Sequence, residues 1–169
     1  MLRRSLDPHL TGRRLERLEV NETRLREPID QRVLAGRTVG RTVEGLRRRA
    51  KYLLADLSGG QTLVVHLGMS GRLSLAESVE LPEPHEHLSF DLDSGSKLRF
   101  RDPRRFGLVL ALPTEDLHLD RRVRHLGLEP LGVGFDGTAL RRLAAGRRGP
   151  VKSFLMNGRL VVGVGNIYA

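Results

Sequence analysis

The sequence predicts an α+β fold, an antiparallel β region with one helix ahead of it and a helical segment behind it. Three observations carry this reading. Leu88, Phe90 and Leu92 alternate with Ser89 and Asp91, and Leu98 and Phe100 alternate with Lys97, Arg99 and Arg101, on either side of the turn signal Asp93-Ser94-Gly95-Ser96. After about Leu126 the apolar spacing changes from alternating to helical. Finally, 19 glycines in 169 residues, with five Phe, two Tyr and no Trp, suit a turn-rich β fold whose core is mostly Leu and Val.

Each element follows in order. Leu2, Leu6 and Leu10 form an apolar stripe that predicts a helix ending near Pro8 to Gly12. Arg3 and Arg4 would occupy its first turn with no capping side chain, against the positive end of the helix dipole, so its natural start is expected upstream of Met1. From Arg14 to Leu112 the pattern is one of short strands. Lys51–Leu57 and Thr62–His66 flank Ser58-Gly59-Gly60-Gln61, a hairpin signal. The strand pair around Asp93 is expected to have one wet face, basic on its second strand, and Leu108–Leu112 is a further strand closed by Pro113. Asp136 can cap a helix carrying Leu140 and Leu143 and stopped by Gly146; Pro150 fits the first turn of another, ended by Gly158. Leu160–Ala169 has no closing signal and is expected to break off within an element. Domain boundaries are expected at 1–125 for the β domain and 126–169 for a linker and incomplete helical domain.

Charge narrows the partners. Twenty-nine Lys and Arg against 20 Asp and Glu give +9, a field that attracts nucleic acid first and an anionic membrane second. The chain has no cysteine, which removes disulfides, thiol nucleophiles and thiolate zinc sites and fits a reducing compartment. No apolar run approaches the ~18 residues of a spanning helix, and Met1–Leu10 is no signal peptide, so a cytoplasmic chain without membrane contact is expected.

Several stretches can carry chemistry. In "RDPRRFG", residues 101–107, Asp102-Pro103 favours a turn and Gly107 frees the exit, so Arg104, Arg105 and Phe106 are expected at a hairpin tip. A ring flanked by cations can replace a lost stacking partner in an opened duplex; alternatively the Phe folds back onto the core and the arginines are solvated. His66-Leu67-Gly68-Met69-Ser70-Gly71 sets Met69 between glycines at the end of a strand, either as a filler between bases or as a core residue in a bounded turn. The basic run Leu46–Tyr52, with Lys51, can track phosphates or be a solvated face. His85-Glu86-His87 would put two imidazoles on one face of a strand, but without a third ligand a metal is not expected, and a hydrogen-bonding or phosphate-facing pair fits better. Gly163–Tyr168 lacks the third glycine of a dinucleotide fingerprint. A turn whose amides and Asn166 meet a phosphate is the functional alternative to a plain helix connection.

In order, "RRSLDPHLTGRR", "RRAKYLL", "HLGMSGRL", "HEHLSF", "RFRDPRRFG", "HLGLEPL" and "VKSFLMNGRLVVGVGNIYA" resemble the bacterial formamidopyrimidine-DNA glycosylases over almost the whole chain. The resemblance implies an N-terminal β-sandwich bordered by helices, followed by the start of a helix-two-turn-helix domain. It implies base-excision repair: excision of oxidised purines such as 8-oxoguanine from duplex DNA, and AP lyase cleavage of the abasic site. By resemblance Met69, Arg104 and Phe106 form the wedge that fills the gap left by an everted nucleotide. Lys51, His66, Arg105 and Asn166 grip phosphates, with Lys51 also supporting catalysis, and Lys152 and His85 lie near the lesion. The partner implied is double-stranded DNA with an oxidised purine or abasic site, bound by a monomer. The family's nucleophile is the amine of an N-terminal proline followed by a glutamate, where this sequence has Met1-Leu2, and its zinc finger uses four cysteines. No catalytic residue beyond Lys51 and no cofactor is therefore expected in these residues, and little excision. A non-catalytic damaged-DNA binder is the alternative.

Overall fold

The computed structural model describes residues 1–166. They form two compact units: Met1–Arg48 with Tyr52–Asp116, and Arg49–Lys51 with the chain from Leu117 on. Among the described residues no helix is long and apolar enough to cross a membrane.

The first unit opens with α1 (Leu2–Leu10), whose Leu6 and Leu10 are buried. Then follow β1 (Leu15–Val20), α2 (Gln31–Thr38), β2 (Val43–Arg49), β3 (Tyr52–Leu57), β4 (Gln61–His66), β5 (Arg72–Glu77), β6 (Glu86–Leu92), β7 (Ser96–Arg101) and β8 (Leu108–Pro113). These strands make two four-stranded sheets, ordered β1-β6-β7-β5 and β2-β3-β4-β8. The registered pairs are antiparallel, Leu54 opposite Val64 in one sheet and Phe90 opposite Leu98 in the other. One buried cluster takes Leu88, Phe90, Leu98 and Phe100 from the first sheet and Leu53, Leu63, Val65 and Val109 from the second. The apolar halves of the alternating strands thus meet in a common core, as the period of two requires. The expected antiparallel β region, its bordering helix and both hairpin turns are present.

Three expectations are corrected. Residues 14–112 are not all strand, because α2 lies among them. Asp30 caps it by accepting the Val33 amide at 3.0 Å, and the Asp at that position was the available signal. Only Leu34 and Thr38 of its eight residues are buried, too thin a stripe for periodicity to register. Second, the basic face of β7 is not wet. Lys97 Nζ lies 3.2 Å from Glu19 and 3.7 Å from Asp91. The Arg99 guanidinium pairs with Glu80 at 3.1 Å and Glu86 at 3.4 Å and donates to the carbonyls of Glu80 and Leu81. Alternation identifies the face but not what covers it; here the connection from β5 to β6 supplies Glu80 and two carbonyls to Arg99, while β1 and β6 supply the acids that meet Lys97. Third, "RDPRRFG" is no hairpin tip, since β7 and β8 belong to different sheets and the segment carries the chain from one to the other.

In the second unit Arg49 donates to the carbonyls of Leu126 and Gly127 at 2.6 and 2.8 Å and pairs with Glu129 at 3.1 Å. Glu129 also accepts the amide of Ala50, which holds the left-handed φ of 54° at the turn. Two helices follow, α3 (Gly137–Ala144), capped by Asp136, and α4 (Val151–Met156), entered from Pro150. Leu128 bridges Val161 in parallel, and Val161 and Val162 are buried. Tyr168, the residue that departs from the dinucleotide fingerprint, lies outside the described residues.

Candidate nucleic-acid interface

Two connections of the first unit come together. The one after β4 turns at Gly68, whose φ is +63° and whose amide donates to His66 Nδ1 at 2.9 Å. The next residue, Met69, is 72% exposed. The other runs from Asp102 to Gly107. A Cβ on Gly68 would stand 2.5 Å from the Phe106 carbonyl carbon and 2.7 Å from the Gly107 nitrogen, so the two backbones touch and only glycine fits. Phe106 is 46% exposed, and the Arg104 guanidinium carbon lies 4.9 Å from its ring centroid, a cation–π contact. The structure therefore brings Met69, Arg104 and Phe106 onto adjoining loops, with thioether and ring both in solvent. The core alternatives for Met69 and Phe106 do not hold.

Asp102 joins these loops. Its carboxylate accepts the Ser70 hydroxyl at 2.6 Å on one oxygen and the Gly107 amide at 2.6 Å on the other. The turn-forming role expected of Asp102 accounts for Gly107; the bond to Ser70 was invisible in sequence because it joins distant positions.

The surroundings are cationic. Arg105 takes a left-handed φ of 59° and pairs with Glu22 at 3.4 Å. Glu22 also accepts three side-chain bonds from Arg24, at 3.0, 3.2 and 2.8 Å. These Arg24 hydrogen bonds, with the Arg105 charge adding to them, pull the Glu22 carboxyl down to about 2. The Arg26 amide donates to the Gly107 carbonyl at 3.2 Å. The stretch Glu22–Arg26 thus borders these two loops, which sequence reading missed; its alternating acid and bases were the signal. His66 accepts at Nδ1, so in the neutral ring the proton sits on Nε2, a donor suited to a phosphate.

The histidine pair of residues 85 and 87 does not share a strand face. His85 has a φ of +67°, lies outside β6 and is exposed, while His87 is buried with Nε2 2.8 Å from the Asp102 carbonyl. A register shift between Glu86 and Leu88 breaks the alternation assumed for the pair. In the second unit a Cβ on Gly165 would stand 3.4 Å from Lys51 Nζ, which puts this lysine beside the Gly163–Asn166 turn. Asn166 is exposed, as is Lys152 on α4.

The model of the formamidopyrimidine-DNA glycosylase N-terminal domain matches residues 1–109. The chain belongs to the formamidopyrimidine-DNA glycosylase family. Among relatives, the formamidopyrimidine-DNA glycosylase of Halorhodospira halophila is 50% identical over 99% of this chain and 61% of that protein. That of Stutzerimonas stutzeri is 48% identical over 99% of this chain and 60% of its own length. The chain spans about three fifths of the length of the curated relatives it matches. Lactococcus lactis Fpg in complex with abasic-site DNA superposes with a TM-score of 0.88 at 28% identity, over 99% of this chain and 61% of that one. Its complex with FAPY-dG DNA gives the same score at the same identity, over 99% and 62%.

The zinc finger that the family resemblance implies has no ligand set here. The sequence lacks cysteine, and among the described residues no group of three His, Asp or Glu could hold a metal.

Proposed function

We propose that this chain serves a base-excision DNA glycosylase and AP lyase acting on oxidised purines in duplex DNA, and that its first unit supplies the wedge that holds the duplex open. The reading rests above all on Met69 and Phe106, exposed side chains on loops whose backbones touch. An apolar pair in water on a strongly basic chain has a ready use against bases, where ring and thioether replace the stacking lost when one nucleotide leaves the helix. Arg104 can bond the edge of the base left without a partner. Its contact with the Phe106 ring pre-sets the guanidinium without using its donors on a carboxylate.

Phosphate contacts complete the grip. Lys51, Asn166, Arg105 and the Nε2–H of His66 are donors suited to backbone oxygens, and Lys152 and His85 are assigned to the neighbourhood of the lesion. With the duplex held open, attack of a neutral secondary amine on the anomeric carbon would displace the base, which leaves with a proton. Cleavage of the ring C–O bond at that carbon would give an iminium, and loss of a C2′ proton would then expel the 3′ phosphate and cut the strand. The resemblance gives that attack to an N-terminal proline and its acid–base steps to the following glutamate. For the 169 residues by themselves we expect binding by a monomer and no borohydride-trapped adduct on an 8-oxoguanine duplex.

The test is equilibrium binding to a duplex with one abasic site and to the intact duplex, across a salt series. Tighter binding to the abasic duplex is expected, with log K falling against log salt by about 0.9 per phosphate neutralised. Equal affinity for both duplexes, or binding that ignores salt, overturns the proposal.

A further inference from the structure

Resting on the wedge reading above, we propose that Asp102 and Ser70 are positioning residues which lock the Met69 loop to the Arg104–Phe106 loop, so that thioether and ring enter DNA as one preformed body. Neither residue needs to touch the nucleic acid. The problem they solve is geometric: the two halves of the wedge sit on separate connections, β4 to β5 and β7 to β8. Halves that moved independently would each have to be ordered on binding, and that ordering would weaken discrimination.

The side chain of Asp102 is wholly buried, and both its oxygens are engaged. One takes the hydroxyl of Ser70, the residue directly after Met69; the other takes the amide of Gly107, the residue directly after Phe106. Ser70 Oγ in turn accepts the Arg104 amide at 3.2 Å, and Arg104 N also lies 3.4 Å from Asp102 Oδ1, which closes a small ring of bonds at the base of the wedge. The backbone of Asp102 is held from behind, its carbonyl by buried His87 at 2.8 Å and its amide by the His85 carbonyl at 3.0 Å. The close approach of Gly68 to the Phe106–Gly107 backbone brings the two loops within reach of these bonds. If Asp102 served only its own turn, the bond to Ser70 would be dispensable, and this separates the two explanations.

The experiment uses the full chain and a duplex with a tetrahydrofuran abasic site facing 2-aminopurine, whose fluorescence rises as it unstacks. Ser70→Ala is expected to lower the thermal midpoint, because buried Asp102 loses a donor, and to leave the folded protein's affinity for the undamaged duplex unchanged. It should cut the preference for the abasic duplex about tenfold, because the freed loops must then be ordered on binding. The 2-aminopurine rise should shrink with it, and Ser70→Thr, which keeps the hydroxyl, should restore both. Met69→Ala and Phe106→Ala should be non-additive in the parent protein and additive once Ser70→Ala is present. If Phe106→Ala loses the preference while Ser70→Ala keeps it, the lock is overturned and the wedge stands. If neither Met69→Ala nor Phe106→Ala changes preference or fluorescence, the wedge reading itself falls, and the lock with it.

Discussion

Arg99 on β7 and Arg104 just beyond the strand's end are the same side chain in opposite circumstances. Arg99 is 2% exposed, with Glu80, Glu83 and Glu86 around its guanidinium and two carbonyls accepting from it. Arg104 makes no ion pair among the described residues and lies against an exposed ring. Net charge counts both alike, yet only the second can offer its donors to a partner without breaking an internal bond. The difference teaches that the cationic surface available for binding is set by where the acids fall. Lys97 is likewise neutralised by Glu19 and Asp91, and Arg47 by Asp56.

The sharpest way to break this contrast is to remove the buried cation. Arg99→Met would leave Glu86, itself buried, without its cationic neighbour, and losing one partner of a buried ion pair costs about 3 kcal/mol. The urea midpoint should fall accordingly, while the folded protein's preference for an abasic duplex stays as it was. The reverse outcome is expected for Phe106→Ala. Exposed and outside the core, the ring contributes little to folding, so the midpoint should hold; base–aromatic stacking is worth about 1–3 kcal/mol, so the abasic preference should drop about tenfold. A stability loss with Phe106→Ala, or a loss of preference with Arg99→Met, would erase the distinction. Lys51→Ala should act more gently, lowering the salt slope by about 0.9 with little change in the preference for damage.

Much of this was legible in the sequence, for reasons that also mark the limit. Glycines on both sides of Met69 and the Asp-Pro and Gly bounding Arg104–Phe106 are local signals, and they placed the loops correctly even though one proved a crossover between sheets. The core of β6 and β7 was readable because alternation reports which side chains share a face. The cover over the opposite face was not, since it depends on Glu80 and Glu83 folding back from a connection of no regular period. Ser70 looked like an ordinary turn residue, and only its bond to a buried carboxylate in a distant segment distinguishes it. The left-handed turn at His85 and the register shift around His87 have no signature in either residue.

The smallest effect concerns Glu22, the acid paired with Arg105. Glu22 is held down to about 2 chiefly by side-chain hydrogen bonds from Arg24, with Arg105 contributing charge. A carboxyl whose pKa is lower in the folded chain than its ordinary 4.5 stabilises the fold above that ordinary value, and the contribution disappears as pH falls towards the folded value. The parent protein should therefore exceed Glu22→Gln in urea midpoint by a small constant margin from neutral pH down to about 5. The margin should close between about 4.5 and about 2. Because the group is only half-buried and solvent still reaches it, the margin should also shrink in high salt at neutral pH. A margin that persisted at acid pH would mean that Glu22 acts through packing rather than through its charge.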